Sequence, residues 1–357
     1  MKHGTLLICA LAILTISFVL ENPSSTKMSS FATTSTPSLA TTTDCYLITS
    51  ELSGESVGDI AWSGDGSVLA VASQNDILIF PSGDFTQDPI RLQGHQDEVV
   101  AIDINVDATY LASAGWDGTA LVWNLENYKL EQVLRKRDGL DDINPYDVIP
   151  FLSVQFSPDG HYLAAGTLEE DRTAYVWEVG TWREIGIYDD HYTGVYGVAF
   201  NADSSMLATT SVVELRIYDI ETSKILHRYT NTKLSMYSLT WDAEHLIFGA
   251  FTTSDAITEV AGIYRWNLTN DIEPQVIYPF SYNAWGSAID FLPDRTDIIA
   301  FAGENNNVTL YDLATMRTVT KFGASESPIW SLEFNPREGS LAVSRGGNEL
   351  RIWSPCS

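Results

Sequence analysis

The sequence contains few cysteines, few basic residues and few histidines. Its 357 residues include 3 Cys, 6 His, and 20 Lys and Arg against 47 Asp and Glu, which gives a formal net charge of −27. Such a surface repels phosphate backbones and anionic lipid headgroups, so we expect no nucleic-acid partner. The histidines lack the short paired spacing of a zinc site, and we predict neither a metal nor a cofactor.

Patterns typical of enzymes are also missing or misplaced. No segment of useful length combines helical periodicity with capping residues, and no glycine-rich phosphate loop is followed by a lysine. The segment 54–58, Gly-Glu-Ser-Val-Gly, matches the nucleophile elbow of hydrolases. That motif requires a strand-to-helix turn in an α/β fold, which the surrounding sequence does not predict. We therefore expect no enzymatic activity.

One long apolar run is present, from Leu6 to Leu20, behind a positively charged start. This layout is typical of a signal sequence, and its length is near the lower limit for crossing a bilayer. We interpret residues 1–21 as a signal peptide or an uncleaved N-terminal membrane anchor. Either would make the protein exported: secreted, periplasmic or on the cell surface. The Ser/Thr-rich residues 22–44 predict a disordered stalk.

From residue 57 onward, one pattern recurs seven times. Each repeat begins with an apolar strand, which is followed by a turn rich in Asp, Asn, Pro or Gly. A short Leu-Ala-Ser-like strand comes next, and then a strand that ends in an aromatic residue. The repeat length of roughly 40 to 50 residues is that of a four-stranded propeller blade. The first strands are predicted to end at Trp62, Ile104, Phe156, Phe200, Trp241, Phe291 and Phe334, and the third strands at Phe80, Trp123, Trp177, Tyr218, Trp266, Tyr311 and Trp353.

The second repeat, residues 94–124, resembles the WD-repeat family most closely. It begins with Gly-His, continues with Leu-Ala-Ser-Ala-Gly-Trp-Asp-Gly over 111–118, and ends with Leu-Val-Trp-Asn. The resemblance covers residues 46–353 and implies an all-β, seven-bladed propeller of four-stranded blades, while saying little about function. It also implies a buried, hydrogen-bonded tetrad with a structural role. The four residues of this tetrad are His95, Ser113, Asp117 and Trp123.

The seventh repeat ends with its third strand and lacks an outer one. Residues 46–52 read as a strand without another partner, so we predict that they complete blade seven and close the ring. The propeller domain is therefore assigned to residues 45–357. Third and outer strands run antiparallel, which places Cys45 and Cys356 beside each other. In an oxidising compartment, we expect these two cysteines to form a disulfide.

One face of a propeller, here called the top face, gathers the loops between blades and the loops that join second to third strands. Aromatic residues near the start of the first strands and in these loops are expected to lie there. Clustered surface aromatics are typical binding anchors, although packing between blades is the alternative. The predicted partner-binding residues are Trp116, Tyr196, Tyr237, Trp285 and Trp330.

Acidic residues and long insertions accompany this aromatic cluster. The insertions span 138–149 and 252–262, and long loops in compact repeats often have functions. Calcium ligation by the acidic segment 138–147 is conceivable, but a solvated loop is the preferred interpretation. An acidic rim suits a basic and apolar partner. The predicted rim residues are Asp141, Asp142, Glu170, Asp189 and Asp190.

Two classes of function are compatible with these patterns. The first is an extracytoplasmic WD-repeat scaffold, monomeric and with an optional N-terminal membrane tether, that binds a protein or peptide through its top face. The alternative is a propeller that binds or hydrolyses an extracellular carbohydrate or other small ligand, because sugar faces stack on exposed Trp and Tyr. The scaffold is the preferred prediction, since no catalytic constellation can be assembled from the sequence.

Overall fold

The computed structural model places every described strand in one compact unit, residues 41–357. Twenty-eight strands form seven antiparallel sheets of four strands each. The predicted seven-bladed, all-β fold is confirmed. The structure describes residues 46–355 except 54–55, 82, 137–147, 190, 243, 253–259, 271, 281–287, 294 and 347.

The first four blades follow one another along the chain. Blade one contains β2 (Ile60–Trp62), β3 (Val68–Ser73), β4 (Asp76–Pro81) and β5 (Ile90–Gln93). Blade two contains β6 (Val99–Ile104), β7 (Tyr110–Gly115), β8 (Ala120–Asn124) and β9 (Lys129–Leu134). Blade three contains β10 (Phe151–Phe156), β11 (Tyr162–Thr167), β12 (Ala174–Glu178) and β13 (Arg183–Tyr188). Blade four contains β14 (Gly197–Phe200), β15 (Met206–Thr210), β16 (Glu214–Asp219) and β17 (Ile225–Thr230).

Of the last three blades, blade seven combines strands from the beginning and the end of the propeller sequence. Blade five contains β18 (Leu234–Trp241), β19 (His245–Thr252), β20 (Gly262–Asn267) and β21 (Gln275–Pro279). Blade six contains β22 (Ile289–Leu292), β23 (Arg295–Ala302), β24 (Val308–Asp312) and β25 (Arg317–Phe322). Blade seven contains β26 (Ile329–Phe334), β27 (Leu341–Arg345), β28 (Glu349–Pro355) and β1 (Tyr46–Ser53).

Strand ends fall at or close to the predicted residues. Every first strand ends where predicted except β22, which continues one residue beyond Phe291. The third strands continue one or two residues past their terminal aromatic. The added residue is often Asn or Asp, whose side chain accepts backbone N–H groups of the following turn. Asn124 accepts the N–H of Glu126 in this way.

The predicted closure of the ring is confirmed in the backbone pairing. β1 runs antiparallel to β28, from Tyr46 opposite Pro355 to Ser53 opposite Glu349. Cys45 and Cys356 lie just outside the described residues, so their disulfide stays a prediction. The structure does not describe residues 1–45 either, which contain the proposed signal peptide or anchor and the stalk.

The hydrophobic core lies between the blades rather than within a single centre. Seven buried clusters each join two neighbouring sheets. One of them packs Leu350 and Ile352 of blade seven against Trp62 and Phe80 of blade one. The alternating apolar residues of each sheet are therefore buried on both faces, which explains their near-continuous apolar sequence.

The first strands form the inner wall of the ring. Each contacts the first strand of the next blade, and β26 contacts β2 to complete the circle. This arrangement places the first strands around a central channel, with their starts at the top face. Among the described residues, no helix is long and apolar enough to cross a membrane.

Candidate functional site

Four of the first strands contain a β-bulge close to their top end. The antiparallel register shifts at one residue in β6, β10, β18 and β26. A bulge leaves one residue outside the ladder and changes the direction of its side chain. The residues skipped by the four shifts are Val100, Leu152, Tyr237 and Trp330. Two of the predicted binding residues, Tyr237 and Trp330, therefore lie where the backbone departs from regular pairing.

The structure brings two of the five predicted binding residues into contact. The rings of Tyr196 and Tyr237 meet edge to face, with centroids 5.2 Å apart. Phe251 of β19 extends this cluster, with its centroid 5.6 Å from that of Tyr237. The sequence analysis missed Phe251 because it compared only first strands, although Phe251 lies opposite Ser235 at the top of the same sheet.

The other predicted aromatics lie apart from this pair or outside the described residues. Trp330 is 41% exposed beside Gly346. Trp116 is half-buried and lines a cleft on blade two. Trp285 lies in the undescribed segment 281–287.

Of the predicted acidic rim, only Glu170 and Asp189 lie within the described residues, and both are exposed. Asp141, Asp142 and Asp190 lie outside that part of the chain, as do most residues of both long insertions. The calcium alternative for the segment 138–147 therefore stays untested.

Two adjoining clefts lie on the top face at blades one and two. The first, called the acidic cleft, has a volume of about 310 Å³ and is lined by Gln74, Asn75, Gln96, Asp97 and Glu98. The second, called the blade-two cleft, has a volume of about 510 Å³. Its lining combines Trp116 with aliphatic side chains and with Arg135. Gln96 and Asp97 border both clefts, so the two form one continuous depression.

The four tetrad side chains of blade two form one hydrogen-bonded chain. Trp123 Nε1–H donates to Ser113 Oγ over 2.9 Å. Ser113 Oγ lies 2.8 Å from His95 Nε2, and His95 Nδ1 lies 3.0 Å from Asp117 Oδ2. The chain is fully satisfied when His95 carries its proton on Nδ1, because the serine hydroxyl then donates to Nε2.

Asp117 links this tetrad to the clefts. Its Oδ2 also accepts the backbone N–H of Gln96 over 2.8 Å, and its Oδ1 accepts the hydroxyl of Thr119. Burial alone would raise the pKa of Asp117, but the hydrogen bonds from His95, Thr119 and Gln96 outweigh burial and lower the pKa to about 2. The carboxylate thus stays ionised and fixes the wall shared by both clefts.

Blade four carries a charged variant of this tetrad. His191 lies beside Thr209 and Tyr218, with contacts of 3.3 and 3.4 Å, as His95 lies beside Ser113. Glu214 replaces Asp and pairs with Arg216 at 2.9 Å and with Arg228 at 3.1 Å. Burial alone would raise the pKa of Glu214, but His191 and Arg216 outweigh burial and lower it. The sequence analysis missed both arginines, although a charged residue inside an apolar strand is a detectable signal.

Polar side chains join neighbouring blades around the channel. Each lies on or directly before a first strand and accepts a backbone N–H from the first strand of the next blade, which stabilises the contact between sheets. The five bonds, 2.6–2.9 Å long, run from Ile102 to Asp59, Phe156 to Asp103, Phe200 to Gln155, Phe334 to Asp290, and Trp62 to Glu333. Four of the five acceptors are carboxylates, so acidic groups gather at the contacts between first strands.

The pKa values of these carboxyl groups are raised. Desolvation raises the pKa of Asp103 and of Asp290 to about 7, against an ordinary value of 3.8, despite two backbone hydrogen bonds to each. Desolvation also raises the pKa of Glu333 well above its ordinary value, and the charges of Asp290 and Asp103 add to this shift. Among the described residues, however, no group of three or more His, Cys, Asp or Glu side chains is arranged to hold a metal ion.

The comparison with protein families agrees with this geometry. The family model described as WD domain, G-beta repeat matches residues 87–124, 148–178 and 182–212. These matches cover first strands of blades two, three and four, where the His95 tetrad and its blade-four variant lie. The chain is a WD-repeat β-propeller.

Relatives of this WD-repeat propeller are distant. Protein HIR1 of Candida albicans is 26% identical over 290 residues, which cover 74% of this chain and 28% of HIR1. Pre-mRNA-processing factor 19 homolog 2 of Arabidopsis thaliana is 24% identical over 228 residues, or 62% and 41% of the two chains. U3 small nucleolar RNA-interacting protein 2 of Homo sapiens is 27% identical over 120 residues, or 33% and 25%. The chain thus spans less than half the length of these relatives, and no enzyme family is indicated.

The predicted export of this WD-repeat propeller is wrong. The relatives are nuclear or nucleolar proteins, which conflicts with a secreted, periplasmic or cell-surface protein. The prediction depended on the apolar run 6–20, which is near the lower limit for a membrane span and lacks a clear small-residue cleavage site. The Cys45–Cys356 disulfide accordingly loses the oxidising compartment that favoured it.

Proposed function

We propose that this propeller is a non-enzymatic, monomeric scaffold whose top face binds a protein partner with basic and apolar character. The observation that carries the proposal is the bulge repeated near the top of the first strands. In a regular strand, residues alternate between the two faces of a sheet and would pack against neighbouring blades. The bulges instead remove Tyr237 and Trp330 from the ladder at the channel mouth.

The exposure of these aromatics supports a binding role. Trp330 is 41% exposed, which a residue needed only for packing between blades would not be. Tyr196 and Tyr237 are half-buried and held edge to face, so little rotamer entropy remains to be lost on binding. Aromatic side chains of this kind are the usual anchors of protein interfaces.

Charge supports the type of partner. The chain carries a formal net charge of −27, and the acidic cleft, Glu170 and Asp189 lie on or beside the top face. A basic partner would approach faster and bind with better complementarity than a neutral one, whereas nucleic acid would be repelled. One relative is named for interaction with small nucleolar RNA, but that name describes the relative alone.

The test is a binding titration with a protein recovered from native extract by the parent chain. Trp330→Ala and Tyr237→Ala should each weaken binding by about thirtyfold, since large interface anchors contribute about 2 kcal/mol or more. Ile225→Ala is the matched control because Ile225 is 44% exposed on the outer strand β17. The outer rim is the binding surface if both top-face variants remain folded and bind like the parent, while Ile225→Ala binds more weakly.

A further inference from the structure

We propose that the acidic cleft and the blade-two cleft together bind one extended peptide segment with the order basic, apolar, acidic. The inference rests on the proposed function, because it names the segment of a protein partner that part of the top face would bind. It assigns a separate chemical role to each of three neighbouring parts of the depression: Asp97 with Glu98, Trp116, and Arg135.

The inner part of the depression suits a cation. Asp97 and Glu98 lie side by side, with the amide side chains of Gln74, Asn75 and Gln96 around them. Partial desolvation raises the pKa of Glu98, and the neighbouring charge of Asp97 adds to this shift. An ammonium or guanidinium group placed here would relieve this repulsion and could donate hydrogen bonds to several oxygen atoms at once.

The middle part suits a large apolar side chain. Trp116 is half-buried and lines the cleft opposite exposed aliphatic groups. Leu130, Val133 and Val148 are 44%, 36% and 42% exposed. These three side chains line the same cleft as Trp116, so an apolar group of a ligand would lose contact with water there.

The outer part carries the opposite charge. Arg135 follows the outermost strand of blade two and lines the same cleft. Its guanidinium suits a carboxylate, which it can bind through two N–H groups. The change from acidic to basic lining across one depression therefore sets the direction in which a peptide can lie.

Topology gives the order and spacing of the three parts. Glu98 precedes the first strand of blade two, Trp116 lies between the second and third strands, and Arg135 follows the fourth. Trp116 pairs directly with Glu98, because its backbone N–H donates to Glu98 O over 2.9 Å, and it therefore lies about one strand spacing, or about 4.8 Å, from Glu98. Arg135 lies about two strand spacings, or about 10 Å, farther out. The expected ligand is therefore an extended segment with a basic, an apolar and an acidic residue in that order.

The walls of the depression are held in place before any ligand binds. Glu98 O accepts the backbone N–H of Trp116 over 2.9 Å. Asp117 accepts the N–H of Gln96 and belongs to the tetrad that contains His95. A preformed site of this kind loses little entropy when a peptide binds.

The test is a selection of random nine-residue peptides displayed on phage against the immobilised full chain. We expect enriched peptides to contain a basic, an apolar and an acidic residue in that order. Synthetic peptides of that order should bind Trp116→Ala about thirtyfold more weakly than the parent. Arg135→Glu should weaken binding about fivefold, and a peptide with Lys in place of its acidic residue should regain that loss on Arg135→Glu. Because Arg135 is exposed, this charge exchange tests the site without affecting folding.

Trp330→Ala and Tyr237→Ala separate this inference from the proposed function. Both lie outside the two clefts, so peptides held by the clefts should bind these variants like the parent. Enriched peptides that lack the order, or that bind Trp116→Ala and Arg135→Glu normally but lose affinity for Trp330→Ala, overturn the inference and leave the top-face scaffold in place. Peptides indifferent to all four variants likewise overturn the inference and leave the proposed function to the titration with the recovered partner. A selection without binders overturns the inference, whereas the titration with the recovered partner still decides the proposed function.

Discussion

At the scale of single residues, one chain of hydrogen bonds connects the core of blade two to its surface. Trp123, Ser113, His95 and Asp117 follow one another from the buried third strand to the turn that carries Trp116. The chain has no unsatisfied member when His95 is neutral, and a partly satisfied network would be worse than an apolar core. The tetrad therefore holds a surface turn in position.

Replacing Trp123 should be costly. Trp123→Ala removes a large buried ring and leaves Ser113 without its donor, so we expect a loss of about 3–5 kcal/mol in the free energy of unfolding. Urea unfolding followed by circular dichroism measures this loss. Trp330→Ala, at a 41% exposed site, is the control and should change stability by less than about 1 kcal/mol. Equal effects of the two substitutions would contradict the structural role of the tetrad.

The channel carboxyl groups should make the protein more stable at acidic pH. A group with a native pKa of about 7 and an ordinary value of 3.8 binds more protons in the folded than in the unfolded state between these values. The stability from this difference is present below pH 3.8 and is lost as the pH rises through about 7. Asp103→Asn and Asp290→Asn should therefore flatten the decline of melting temperature between about pH 4 and about pH 7.

An amide can replace these carboxyl groups because blade three already has an amide side chain, Gln155, at the corresponding position. Gln155 accepts the N–H of Phe200 in the same way that Asp103 accepts the N–H of Phe156. Asp88→Asn, at an exposed site, changes the net charge equally and should leave the pH profile unchanged. If all three variants melt with the same pH profile as the parent, the channel groups do not cause the dependence.

At the scale of strands, turns and hydrophobic alternation explain why most elements could be predicted. Each blade interface buries both faces of a sheet, and turn residues mark each strand end, so the first and third strands were located within two residues. The bulges could not be predicted, because a bulge adds one residue to a strand without changing its apolar character. Of the two arginines that pair with Glu214, Arg228 could not be predicted because it lies on another, exposed strand, whereas Arg216 inside an apolar strand was a detectable signal.

The closing strand β1 can be tested by truncation. A chain of residues 44–357 keeps β1, whereas a chain of residues 54–357 exposes the edge of β28 that β1 covers. We expect the longer chain to elute as a monomer and the shorter one to form oligomers or aggregates, because unpaired strand edges associate. Size-exclusion chromatography with light scattering compares them directly. A monomeric shorter chain with the same melting temperature would contradict the importance of ring closure.

At the scale of the whole molecule, charge and symmetry decide which surfaces can act. The core is divided among seven similar interfaces between blades, and the side chains there are already buried by their neighbours. We therefore expect binding sites at the channel or on the faces. The formal net charge of −27 could be used to predict the character of the partner, but not the compartment. The relatives that match this sequence have different names, and the short apolar run at the N-terminus was too weak a signal to predict export.

Binding of a basic partner should weaken as salt rises. Exposed charges farther apart than about 10 Å are screened at 0.1 M salt, so part of the attraction is lost above that concentration. The association rate should fall more than the dissociation rate rises, because long-range charges mainly steer the approach. Surface plasmon resonance at about 0.05 and about 0.3 M NaCl measures both rates on either side of that concentration. An association rate independent of salt would exclude the acidic surface from recognition.

The central claim, that the top face binds a protein partner, is tested most directly by hydrogen exchange of the chain with and without the recovered partner. Backbone amides covered by a partner exchange more slowly, and exchange distinguishes the two ends and the rim of the propeller in one experiment. We expect protection at residues 74–75, 96–98, 116–119, 192–196, 236–238 and 329–331, with the outer strands β13, β17, β21 and β25 unchanged. Protection confined to those outer strands, with the top-face residues unchanged, would contradict the claim.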